Sequence, residues 1–272
     1  MSGVVTRTAW WLALWLAAQG AGPSSAPPVQ PLVSVWYRGT PPGTPVAEEL
    51  AVIRALGFGG IVWPGPESGR AAGDKSIEAL TQAAGLTLTR AAAPQPATPQ
   101  SALTPSARVD LVVTDPNPAM LTALAWRAVA HGARALAFDG HVDHGAGLEN
   151  PDRSLKPWAH AAIDVARQFS VNDKFILALA PGPGVITTPD LSPALDVSML
   201  DTGRSWVVIA TNTSSAPVAA TVRLPDGTPY AIWLDVLDGS MLSMNGAGAG
   251  PRWDLKLGAR SARVYMIEKV MK

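Results

Sequence analysis

VSVWYRGTPPGTPVAEELAVIRALGFGGIVWP, Val33 to Pro64, holds one complete strand–helix–strand unit. PLVSVWY (31–37) is a short apolar run and reads as a strand. GTPPGTP follows as a turn. Thr44 suits a helix N-cap and Pro45 the first helical position. Val46, Leu50, Ile53 and Gly57 then fall at helical spacing, with Gly57 as the stop. GIVW, Gly60 to Trp63, is the next strand. A helix end, a glycine, a turn and a buried apolar strand form the joint of a parallel α/β fold.

The same unit recurs outward along the chain. Asp74 can cap a helix carrying Ile77, Leu80 and Ala84, stopped by Gly85. Leu86 to Thr89 is a short strand. AAAPQPATPQSALTPS (91–106) reads as a linker-like loop. Arg108 to Thr114 is a strand. Asn117 and Pro118 open a helix with Leu121, Leu124, Ala125 and Ala128 on one face, stopped by Gly132. Ala135 to Phe138 is a strand. Pro157 opens a helix with Trp158, Ala161, Ala162, Val165 and Phe169 on one face, and Phe175 to Ala180 is expected to be a last strand. Alternation of this kind favours a barrel or a doubly wound sheet.

From about Val185 the pattern changes. Alternating apolar runs are spaced by turn signals such as TGRS, PDGTP and LDGS. Strands are expected near Ser205–Thr211, Val218–Leu224, Tyr230–Val236 and Ala262–Glu268. This reads as a small antiparallel β-sandwich. The expected fold class is therefore α/β, a reduced or partial (β/α) TIM-like barrel followed by that sandwich. Expected boundaries are a signal peptide over 1–26, the α/β domain over 27–183 and the sandwich over 184–272.

Composition narrows the function. A chain that is 47% hydrophobic and 15% charged folds rather than staying disordered. Lys plus Arg and Asp plus Glu both number 21, so there is no electrostatic case for nucleic acid. With no cysteine there is no disulfide, zinc–thiolate site or thiol nucleophile. Arg7 precedes AWWLALWLAA (9–18) and then small residues, the layout of a bacterial secretory signal cleaved between about Gly20 and Ala26. Ten apolar residues fall short of the ~20 that span a bilayer. The expected destination is secreted or periplasmic, with no membrane attachment after cleavage.

Val33 to Pro64 resembles the first βα unit of beta-galactosidase-type glycoside hydrolases. WRAVAHGARALAFDG (126–140) resembles the late helix and eighth strand of those barrels. GHVDHGAGLENPDRSLKPWAHAAIDVARQFSVN (140–172) is similar to the loop and closing helix after it, and WVVIATNTSSAPVAATVRLPDG (206–227) to their C-terminal sandwiches. The resemblance implies a barrel acting on glycans, and a carbohydrate as partner. A full barrel needs ~200–250 residues, and the α/β part here is shorter, with the shortfall around 91–106. The family's acid/base and nucleophile glutamates map to no residue of this chain.

Barrel sites form at the carboxyl ends of strands. Those ends nominate Trp36, Tyr37 and Arg38, then Trp63 and Glu67, then Arg90, then Asp115, then Asp139, His141, Asp143 and His144. Glycoside hydrolysis needs a carboxyl pair about 5–5.5 Å or ~6.5–9.5 Å apart. Asp139 with Glu67, Asp115 or Glu149 is the available pairing. Trp36 and Trp63 could stack on a sugar face. DGHVDHG (139–145) holds His141 and His144, but no second cluster supplies further ligands, so no metal is expected. No phosphate-binding glycine loop precedes a helix, so no cofactor is expected. Three functions fit: non-catalytic glycan or protein binding, a hydrolase using a pair that includes Asp139, and an internally deleted remnant without activity. Oligomeric state is left open.

Overall fold

Apolar stretches too short to be stable alone become strands and helices here by burying against one another. The structure is a computed structural model. It describes residues 33–37, 44–64, 74–91, 108–111, 117–138, 148–150, 152, 154–182, 184–187, 194–224, 232–243 and 252–269. The expected signal segment lies outside these residues.

Five strands form a parallel sheet: β1 (Val33–Trp36), β2 (Gly60–Trp63), β3 (Thr87–Arg90), β4 (Arg108–Leu111) and β5 (Ala135–Phe138). Their order is β3-β2-β1-β5-β4. The helices between and after them are α1 (Val46–Ala55), α2 (Asp74–Ala83), α3 (Pro118–Ala130) and α4 (Pro157–Val171). Val35, Ile61, Val109, Leu136 and Phe138 share a core with Leu50 and Ile53 of α1, Ile77 of α2, Leu121 of α3 and Val165 of α4. All four helices therefore cover one face. Strands point side chains alternately to either face, and the other face carries Trp36, Val62 and Ala137 in a separate cluster.

That one-sidedness distinguishes the two expected architectures. A doubly wound sheet has helices on both faces. Here the strands run in space as β4, β5, β1, β2, β3, the cyclic order of a barrel in which the last strand meets the first. The crossovers β1 to β2, β2 to β3 and β4 to β5 each step the same way to the adjacent strand, so right-handed connections place α1, α2 and α3 on one side. The sheet is an arc of a barrel-like ring, with β3 and β4 at its two ends. The Pro-rich stretch falls between those ends in sequence, and 92–107 lie outside the described residues.

Local signals match most boundaries. Asn117 Oδ1 accepts from the Ala119 amide at 2.9 Å, with Pro118 opening α3. Gly57 and Gly132, expected as helix stops, have φ of 100° and 99°, a conformation costly for any residue with a Cβ. At α1 the start shifts by one residue. Pro45, at ψ 136°, is the N-cap, and its carbonyl accepts from Glu48 N at 3.1 Å. One expected strand is a helix instead. Asp173–Ala178 forms α5, with the Ile176 amide bonded to Asn172 O at 2.9 Å. Phe-Ile-Leu-Ala-Leu-Ala has one β-branched residue among good helix formers, and burying Ile176 alone suffices to seat it.

The remaining strands are antiparallel. One sheet has six, in the order β12 (Met241–Ser243), β11 (Ile232–Asp235), β14 (Ser261–Glu268), β9 (Ser205–Asn212), β8 (Leu195–Asp201) and β6 (Ala180–Pro181). The other has three: β13 (Arg252–Leu257), β10 (Val218–Arg223) and β7 (Ile186–Thr187). Val208 and Ala210 of β9 share a core with Val222 of β10 and Trp253 and Leu255 of β13. Val207 and Ile209, on the opposite face, join the core around α3. Helix α3 touches β4 and α4 as well as β8, β9 and β14. It therefore lies between two sheets. A helix apolar nearly all round needs such a place, and Leu121, Ala123, Ala125, Trp126, Ala128, Val129 and Ala130 are all buried.

Candidate functional site

The inner face of the arc is where strand ends converge. Register sets its rows. Asp110, Ala137, Ser34, Gly60 and Thr87 lie side by side across β4, β5, β1, β2 and β3. Trp36, Val62 and Thr89 form the next row toward the carboxyl ends. Trp36 is 0% exposed. Its indole Nε1 donates to Asp110 Oδ1 at 3.0 Å. Strand β5 lies between β1 and β4, and neighbouring strands are about 4.8 Å apart, so the ring reaches across a whole strand. Small Ala137 of β5 lies between them on that face and clusters with the indole. A larger side chain there would block the reach.

Asp110 is buried with it. A carboxylate inside a protein needs hydrogen bonds to offset its lost hydration, and the indole supplies one. Asp110→Asn keeps an acceptor for Trp36 but removes the charge that strengthens the bond. Its expected cost is about 1 kcal/mol, read as a lower urea midpoint at unchanged m-value. An unchanged midpoint would mean that the bond contributes nothing net.

The other nominated residues separate by alternation. Tyr37 and Trp63 sit on the helix side, both buried in the main core. The Tyr37 amide bonds Val62 O at 2.9 Å. The Arg90 guanidinium lies 5.4 Å from the Trp63 ring centroid, and Arg90 pairs with Glu78 at 3.8 Å. Glu149 is 3% exposed. It forms an antiparallel bridge with Leu155, and the Lys156 amide closes the hairpin onto Leu148 O at 2.9 Å. Lys156 in turn stands 5.6 Å from the Trp158 ring centroid, fixing the start of α4. Arg38, Glu67, Asp115, Asp139, His141 and His144 lie outside the described residues. Among the described residues, no three His, Asp or Glu side chains gather as a metal site would require.

Asp110 was not singled out from the sequence; its signal was a lone carboxylate inside the strand RVDL, on the face opposite Val109 and Leu111. Asn212-Thr213-Ser214 has the spacing of a glycosylation sequon, but Asn212 is fully buried. Its Nδ2 donates to Ala216 O and Gly258 O, both at 2.8 Å, and its Oδ1 accepts from Ser214 N at 3.0 Å. It is a turn staple with no free amide to modify.

No protein-family model matches the chain. No curated protein matches it. Solved structures of glycoside hydrolases are similar to it at low identity. A family 30 subfamily 8 xylanase from Clostridium acetobutylicum shares 16% identity over 83% of this chain and 62% of its own, at TM-score 0.38. A putative alpha-N-acetylgalactosaminidase from Bacillus halodurans shares 11% over 82% and 61%, at TM-score 0.40. An alpha-amylase from Geobacillus thermoleovorans shares 16% over 57% and 34%, at TM-score 0.38. The chain thus spans less than two thirds of the xylanase and about a third of the amylase. These neighbours are glycoside hydrolases of several kinds and do not single out the beta-galactosidase type.

Proposed function

We propose that this chain binds a glycan without cleaving it, at the carboxyl ends of the parallel arc, as a reduced relative of glycoside hydrolases. One observation carries the reading. Among the described residues of the five strands, the inner face holds one carboxylate, Asp110, and it is buried and committed to the Trp36 indole at 3.0 Å. Hydrolysis needs two carboxyl groups facing one scissile bond. The reading includes export by the N-terminal segment, and a β-sandwich built from the two antiparallel sheets as a fixed accessory. The glycan would meet residues that follow β1, β2 and β5 in sequence.

A hydrolase reading has its own observation. Glu149 is buried in the segment between β5 and α4, and Asp139 directly follows β5 in sequence. Hydrolysis would need the two carboxyl groups to face one scissile bond. One experiment separates the two. Purified mature protein, beginning near Ala26, is tested on chromogenic glycosides and polysaccharides, and on an immobilised glycan panel. Asp139→Asn and Glu149→Gln variants run beside it. The expected result is saturable glycan binding with no turnover. Turnover that disappears in Asp139→Asn would overturn binding in favour of catalysis. A folded protein showing neither turnover nor binding would sink both.

A further inference from the structure

Helix α3 meets the six-stranded sheet through apolar side chains, with one ionic cluster at their border. Arg127 of α3 and His131, the residue that caps its C-terminus, are four residues apart, so both face the same neighbour. That neighbour is Asp196 of β8. Arg127 Nε lies 3.3 Å from Asp196 Oδ2, and His131 Nε2 bonds the same oxygen. Arg127 Nη1 donates to Thr213 Oγ1 at 3.3 Å, just beyond β9. Thr213 is itself tied to Ala194 at the start of β8, amide to carbonyl at 3.0 Å. Ser198 Oγ closes the cluster on Asp196 Oδ1 at 3.2 Å. One carboxylate therefore collects two cationic side chains from the helix.

The three groups differ in access. The Arg127 and Asp196 side chains are 14% and 13% exposed, whereas His131 is 36% exposed. Protons can reach the imidazole without the interface opening. An arginine stays charged throughout, so histidine is the member whose charge changes near neutrality.

We propose that Arg127, His131 and Asp196 form a proton-operated clamp fastening α3 to the six-stranded sheet, tight while His131 is protonated and slack when it is not. This inference is independent of any glycan reading.

The hydrogen bond that His131 donates to Asp196 raises the imidazole above its ordinary 6.5, outweighing burial, which acts the other way. The charged groups acting on the imidazole are Asp196 of β8 and Arg127 of α3 itself. The other elements packed on α3 also carry titratable or charged groups: His160, Asp164 and Arg167 on α4, Arg108 and Asp110 on β4, Asp201 on β8, and Arg263 and Glu268 on β14. Burial alone pushes the Asp196 carboxyl up, but His131 and Arg127 together hold it below 3.8. The signs follow from linkage. A raised histidine contributes stability that is complete below 6.5 and is lost as pH rises through the raised value. A lowered aspartate contributes stability that is present above 3.8 and is lost as pH falls through the lowered value. The clamp is whole in mildly acidic solution and half-released in alkaline solution, where Arg127 is the one cation of the pair left on Asp196.

The test is an NMR titration of the His131 ring in the full chain, with amide hydrogen exchange of α3, β8 and β9 followed over the same pH range. Wild-type ring signals are expected to titrate above 6.5. Protection of the α3 amides, corrected for intrinsic exchange, is expected to fall across that same step. His131→Gln should lack the step and hold the lower protection at every pH. Titration at or below the ordinary value would overturn the proposal, as would parallel protection profiles in wild type and His131→Gln. If the variant does not fold, the wild-type ring titration decides.

Discussion

Trp126→Ala is expected to remove about 3–5 kcal/mol of stability, the cost of emptying a fully buried large aromatic site. Trp126 is 0% exposed. It stands near the middle of α3, its ring centroid 5.1 Å from that of Phe169 on α4. The core it belongs to holds strands of the parallel sheet and Leu200, Val207, Ile209 and Val264 of the six-stranded sheet. The void therefore opens where the two layers meet, and neither can collapse into it without leaving the other. Small domains are stable by only about 5–15 kcal/mol, so the loss is a large fraction of the total. At roughly 2–4 °C per kcal/mol for a chain of this size, the melting temperature should fall by about 6–20 °C. Trp126→Phe is the milder comparison. The indole Nε1 is buried with no hydrogen-bond partner among the described residues, so phenylalanine gives up volume and no bond. Calorimetry on both variants checks this. Equal, small shifts would show that the site is not the keystone of the packing.

Gly182→Ala should be the second most damaging change, for a steric reason. A Cβ at Gly182 would lie 2.7 Å from the Met199 carbonyl oxygen and 2.9 Å from its carbon. Both are backbone atoms of β8 and cannot swing aside. The Gly182 amide already bonds that oxygen at 3.1 Å. Inserting a methyl group into so close an approach costs about 1–3 kcal/mol, and a backbone obstacle puts this case at the upper end. It should also peel β6 from β8. Gly184 is the internal control, because a Cβ there meets nothing within 4 Å. Gly184→Ala should melt with the wild type and Gly182→Ala well below it. Coincident melts would refute the close approach.

Much of the parallel arc was legible in advance, because its signals are local. Val33–Trp36, Gly60–Trp63 and Ala135–Phe138 are short, largely apolar runs, and Gly57 and Gly132 mark joints made at positive φ. Phe175 to Ala180 misled for the reason that made those runs readable. Six apolar residues carry no period, so strand and buried helix look alike. Strand β13 did carry a period-two signal, with Trp253, Leu255 and Leu257 buried and Arg252, Asp254 and Lys256 exposed. It escaped notice between glycine-rich turns. Strand order could not be read at all, since pairing β5 with β1 is a contact about a hundred residues apart in sequence.

The candidate site was half legible. Trp36 was nominated from its place at a strand end. Its partner Asp110 was not, because it depends on β4 lying two strands away across Ala137, which is register rather than motif. The clamp residues Arg127, His131 and Asp196 were invisible for the same reason. Each is an ordinary surface-type side chain until the helix and the strand are brought together.

Helix α3 has one more implication. Beyond its first turn nearly every position looks onto a wall, with β4 and α4 near some residues and β8, β9 and β14 near others. A helix on a protein's surface has an outer side where evolution can vary residues freely. This one has almost none, and its alanines at 123, 125, 128 and 130 are the sizes its surroundings leave room for. In a scan of all single substitutions, these thirteen residues should stand out as the stretch least forgiving of bulk, narrower in accepted residues than the inner face where a ligand would be sought.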